Sequence, residues 1–226
     1  MDASMKTRKF AHRGRLSALT LALVAFTATT IAAADDTALE VAARAPALAG
    51  AAQTACTAIT RASARSPLEI ESAIRDARAA VSAAVTSEAT VPAAAPILAR
   101  LAERIGDLDQ VPSIQLQMLR NALANSAVDR ERLIDGRAFT NALLRHIDGS
   151  GDGTTPATAW HPCLVSNEYD FVQQVLRARD VTQQALVHEN GRHYDKLTLT
   201  MGDGSTREVF FDITDLYTRN AEALTR

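Results

Sequence analysis

The sequence predicts an α+β fold: an N-terminal alanine-rich helical region, then a small antiparallel sheet domain with one helix, in the order β-α-β-β-β. Three observations predict it. Apolar residues before residue 148 recur every three or four positions, as on one face of a helix. Gly149, Gly151 and Gly153 then fall at every second place, the densest glycine cluster in the chain. After them come short β-rich runs punctuated by Asn190-Gly191 and Gly202-Asp203-Gly204-Ser205, which are tight-turn signals.

Residues 1–34 read as a signal peptide. Lys6, Arg8, Lys9, Arg13 and Arg15 give a basic start, Leu16 to Ala33 an apolar run, and Ala32-Ala33-Ala34 a small-residue cleavage pattern before Asp35. A membrane anchor is the competing reading, but the run is weakly apolar and only about the minimum for a span. No stable span is expected after cleavage. Removing five basic side chains and Asp2 takes the net charge from −2 to −6. An acidic chain is a poor partner for nucleic acid or anionic lipid.

Residues 35–65 are low in complexity and read as loosely helical or partly disordered. The helical region proper spans 66–147. Ser66-Pro67-Leu68-Glu69 combines a capping box with proline at the first helical position. Ile70, Ile74, Ala77 and Val81 follow as one stripe. A second helix is expected from about Pro96 to Ile105, stopped by Gly106. A third opens at Pro112 with Leu116, Leu119 and Leu123 on one face. A short segment, Val128 to Ile134, should end at Asp135-Gly136, and a last helix should run from about Arg137 to Ile147.

Residues 148–157 form a glycine-rich hinge, and 158–217 the α+β domain. A strand is expected over Thr158 to Ser166, with Pro162 implying an edge or a bulge. Asn167 should cap a helix bearing Phe171, Val172, Val175 and Leu176. Three strands follow, over Val181–His188, His193–Met201 and Arg207–Thr214, leaving 218–226 as a C-terminal tail.

Cys56 and Cys163 are the only cysteines. In an oxidising compartment they can pair, tying the helical half to the strand half; the alternative is two buried thiols, and spacing alone decides nothing.

Asp148, Ser150, Asp152 and Gly153 have the spacing of the first half of a calcium loop. The twelfth position, normally a bidentate glutamate, is Ala159, and the ninth is Pro156. A distant carboxylate such as Glu168 or Asp195 would have to complete the shell. A helix stop with aspartates bonding their own backbone is the favoured reading, and calcium the alternative. No other cofactor is indicated. His188 and His193 flank the Asn-Gly turn and are expected to approach across it. With Asp195 or Glu189 they are candidates for a zinc or catalytic site, though exposed polar residues beside a turn are the plainer reading. Asp195 and Asp212, in adjacent expected strands, are candidates for acid–base work.

The stretch from Leu144 to Tyr217 resembles a bacterial domain of unknown function found in exported proteins. The matching residues are Ser150-Gly151-Asp152-Gly153, Thr158-Ala159, Glu168-Tyr169, Leu186-Val187, Gly191, Tyr194-Asp195 and Phe211-Asp212-Ile213. Asn167 and Ala157 stand where that pattern usually has acidic residues. The resemblance implies a periplasmic or secreted protein and carries no activity. The expectation is therefore a non-enzymatic binding or structural module of the cell envelope, its partner an envelope protein or small ligand. An envelope hydrolase using His188, His193, Asp195 or Asp212, or a calcium-stabilised module, is the alternative.

Overall fold

The computed structural model describes residues 30–61 and 65–225. The protein is α+β: eight α-helices with one three-stranded antiparallel sheet among the described residues. The expected signal peptide lies outside the described residues except for 30–34, which begin the first helix.

Helix α1 (Thr30–Arg44) leads through one 3-10 turn into α2 (Ala49–Thr60). The low-complexity stretch, 35–65, is thus helical from residue 35 through residue 60, as its alanine content allows. It is held by apolar contact and charge. Val41 and Ala45 pack on Ile134 and Ala138, and Arg44 bridges Glu131 (3.0 Å) and Asp135.

Helix α3 (Pro67–Ala84) starts on the expected capping box. Ser66 Oγ accepts from the Glu69 N–H, and the Glu69 carboxylate accepts from the Ser66 N–H at 2.7 Å. Its buried face is Ile70, Ala73, Ile74, Ala77 and Val81. Helix α4 (Ala94–Ile105) ends at Gly106, whose φ of +93° suits a residue without Cβ.

Helix α5 (Ile114–Ser126) buries Ile114, Leu116, Gln117, Arg120 and Ala124; of the expected row Leu116 is buried, while Leu119 and Leu123 are only half-buried. The polar members are satisfied: Gln117 Nε2 donates to the Leu108 and Val111 carbonyls, and Arg120 pairs with Asp109.

Helix α6 (Arg130–Asp148) is one helix where a break at Asp135-Gly136 is expected. Gly136 is there for packing. A Cβ would lie 2.0 Å from Asn121 Oδ1, so the glycine lets α5 and α6 approach closely. Asp129 caps the helix, accepting from the Arg132 N–H.

The expected strand over Thr158–Ser166 does not form. A 3-10 turn occupies Pro156–Thr158, and Trp160 alone bridges to Phe211, in parallel sense. Pro162 has no N–H to extend a ladder, and Cys163 next to it is drawn into a disulfide. Helix α7 (Ser166–Gln174) starts one residue before Asn167, which is not its cap. Buried Asn167 instead accepts from the Ile114 N–H (3.1 Å) and donates to the Pro112 carbonyl (2.8 Å), so it caps α5 from a distance.

Strands β1 (Ala178–Glu189), β2 (Arg192–Met201) and β3 (Thr206–Asp212) form the meander. The Asn190-Gly191 turn has φ of +51° and +77°, the handedness a two-residue hairpin needs, and sets His188 directly opposite His193. The last strand stops at Asp212. Where a tail is expected, helix α8 (Thr214–Leu224) folds back, buries Leu216 and accepts the Leu68 N–H on Asn220 Oδ1.

One apolar core runs through both halves, from Ala52 and Ile59 through Ile70, Ile114 and Leu143 to Phe171, Leu197, Phe211 and Leu216. Trp160, Phe171 and Phe211 meet at its centre, with ring centroids 4.8–6.0 Å apart. Cys56 on α2 and Cys163 before α7 are joined by a disulfide with Cα atoms 4.7 Å apart.

Candidate functional site

Three groups of polar residues surround the sheet. The first is the glycine-rich loop. Asp152 Oδ1 accepts from the Thr154 N–H (2.9 Å), the Thr154 hydroxyl (2.7 Å) and the Thr158 hydroxyl (2.6 Å). These donors, Thr158 foremost, hold its carboxyl down to about 2. Ser150 Oγ donates to the Ile147 carbonyl and accepts from the His161 N–H. Asp148 is exposed at the end of α6. The glycines serve the fold around Trp160. Gly151 gives its carbonyl to Trp160 Nε1, and a Cβ on it would meet the Thr158 carbonyl at 2.3 Å. Gly153 has a φ of +64° and lies flat on the Trp160 ring, where a Cβ would come within 2.3 Å of a ring carbon. The loop is thus a turn pinned by its own bonds, and neither Glu168 nor Asp195 is among the partners of Asp152.

The second group is centred on the buried carboxyls of Glu168 and Asp195. Glu168, in the first turn of α7, is fully buried, and among the described residues no N–H or O–H donates to either carboxylate oxygen. Burial pushes its pKa well up, and the charges of Asp195 and Glu71 push it further. Asp195, whose charge acts on it, accepts from Gln184 Nε2 at 2.8 Å, and burial raises the Asp195 pKa as well. Glu71 on α3 accepts the Ser166 N–H at 2.7 Å, and burial raises its pKa too. Tyr169 donates to Gln184 from the rim, its hydroxyl pushed up to about 12 by burial and then by Glu168 and Asp195. Glu168 and Tyr169 belong to the pattern of the resemblance. Nothing in spacing marks Glu168 as buried, because it stands on a helix among polar neighbours.

The third group sits at the hairpin end of the sheet. His188 Nδ1 and His193 Nδ1 lie 3.4 Å apart. The His193 ring stacks on Tyr217 of α8, with centroids 3.9 Å apart. Partial burial, then the neighbouring His188, lowers the His193 pKa. Asp195 shares the His193 face two residues along β2 but is bonded to Gln184. Asp212 lies on the other face. Asp195 is opposite Phe211 and Asp212 opposite Tyr194, so the sheet separates the two carboxylates. Asp212 pairs with Arg192, lies 3.9 Å from His161 Nε2 and accepts the N–H and hydroxyl of Thr214. The acid–base pairing expected of Asp195 with Asp212 is therefore not formed.

Among the described residues one trio of ligand-type side chains gathers within 4.8 Å, namely Cys56, His146 and Cys163, and its two sulfurs are already joined to each other. Two clefts of about 580 and 530 Å3 run along α5 and α6, and none of His188, His193, Asp195 or Asp212 lines them. No helix among the described residues is long and apolar enough to cross a membrane. No protein-family model, curated protein or solved structure matches the chain.

Proposed function

We propose that the chain is an exported bacterial protein, periplasmic or secreted, that serves as a non-enzymatic binding or structural module of the cell envelope. The observation that carries this reading is the Cys56–Cys163 disulfide, buried between α2 and the segment before α7. Such bonds form and persist in oxidising compartments. The basic start, the apolar run and Ala32-Ala33-Ala34 support the same route. So does the resemblance of residues 144–217 to a domain of exported proteins.

The non-enzymatic part rests on how the titratable groups are used. Asp152 is bonded to Thr154 and Thr158, Asp212 to Arg192 and Thr214, and Asp195 to Gln184. A hydrolase needs a nucleophile or base converging with a partner on one reacting atom. Here the sheet holds Asp195 and Asp212 on opposite faces.

Fractionation of bacteria expressing the full gene tests the reading. The expected result is a product in the periplasm or medium whose N-terminus is Asp35. A full-length product confined to the cytoplasm would overturn it. A hydrolytic activity lost in Asp195→Asn with folding intact would overturn the non-enzymatic part.

A further inference from the structure

We infer that His188 and His193 form a two-imidazole chelate for a divalent transition ion, zinc above all, at the hairpin end of the sheet. The distance carries the inference. Two nitrogens bound at about 2.0–2.1 Å to one tetrahedral zinc stand roughly 3.4 Å apart. The two Nδ1 atoms are 3.4 Å apart. At that distance one imidazole N–H can also donate to the other ring nitrogen, a bond that an ion held between the two rings would replace.

The pair is built rather than accidental. The Asn190-Gly191 turn makes His188 and His193 direct cross-strand partners. His193 is fixed three ways. Its ring stacks on Tyr217, its N–H donates to Thr214 Oγ1 at 3.0 Å, and its carbonyl accepts from the Ile213 N–H at 2.9 Å. One ligand is thus held in advance, and the entropy lost on binding falls chiefly on exposed His188. Imidazole favours zinc, copper and nickel over calcium or magnesium, which take oxygen. With two protein ligands, the remaining positions would be left to water or to a donor from a second molecule. The chemistry is that of an exposed metal-binding clasp, a separate property from the export reading above.

Titration calorimetry of zinc chloride into the full, tag-free chain, in its disulfide-bonded form, tests this. The expected result is one ion per chain, with affinity falling at least tenfold in both His188→Ala and His193→Ala while circular dichroism is unchanged. In His188→Cys, a thiolate in place of one imidazole should retain binding. No uptake at millimolar zinc would overturn the inference. So would binding indifferent to His188→Ala but lost in His146→Ala, which would place the ion beside Cys56 and Cys163.

Discussion

Glu168 sets the acid–base behaviour of the fold. Its pKa, like those of Asp195 and Glu71, is raised by burial, and Asp170 is pushed up to about 7 by the same cause. A carboxyl whose folded pKa lies above its unfolded value binds more protons in the native state. Its stabilising effect is complete below the unfolded value and is lost as pH rises through the folded one. Asp152 and Glu69, with lowered pKa values, act with the opposite sign, and their contribution disappears as pH falls below about 4. The melting temperature should therefore be highest in mildly acidic buffer and fall by several degrees toward pH 8. Glu168→Gln, which keeps the shape and removes the ionisation, should flatten that fall. A thermal-melt series from pH 4 to 9 on both chains checks it. At the same scale, Gly153→Ala must place a side chain at φ +64° against the Trp160 ring. The positive φ and the overpacking together should cost about 2–4 kcal/mol, measurable by urea unfolding.

Among the elements, the parts with a local cause were legible. The start of α3 was readable because Ser66 and Glu69 cap it within one turn, and the hairpin because Asn190-Gly191 accepts positive φ. Ser66→Ala should cost about 1 kcal/mol by the same logic, checked by denaturant unfolding. What was not legible depends on distant contacts. Gly136 reads as a stop in sequence but sits inside α6, against the Asn121 side chain of α5. Asn167 reads as the cap of its own helix but caps α5. The run from Arg207 to Thr214 reads as one strand, yet the strand ends at Asp212, which turns the chain into α8 by bonding Thr214. The candidate site divides in the same way. The closeness of His188 and His193 follows from the turn between them. The separation of Asp195 from Asp212 depends on the register of β2 against β3, and the burial of Glu168 depends on where α7 docks.

For the whole molecule, the disulfide connects what sequence separates. It links residues 107 positions apart and crosses the continuous core that helices and sheet share. Closing a loop of that length is worth about 3–5 kcal/mol in the chain-entropy account. The double variant Cys56→Ser, Cys163→Ser should lose stability of that order in urea unfolding, while its circular dichroism stays native at low temperature. The same bond ties the structure to the proposed location, since a reducing cytoplasm would leave two thiols. The most direct measurement is to trap thiols with a maleimide reagent in bacteria producing the native chain, then weigh the protein. The expected chain begins at Asp35, takes up no label until it is reduced and then takes up two. A chain that keeps its first 34 residues and labels at both Cys56 and Cys163 without reduction would contradict the proposed location.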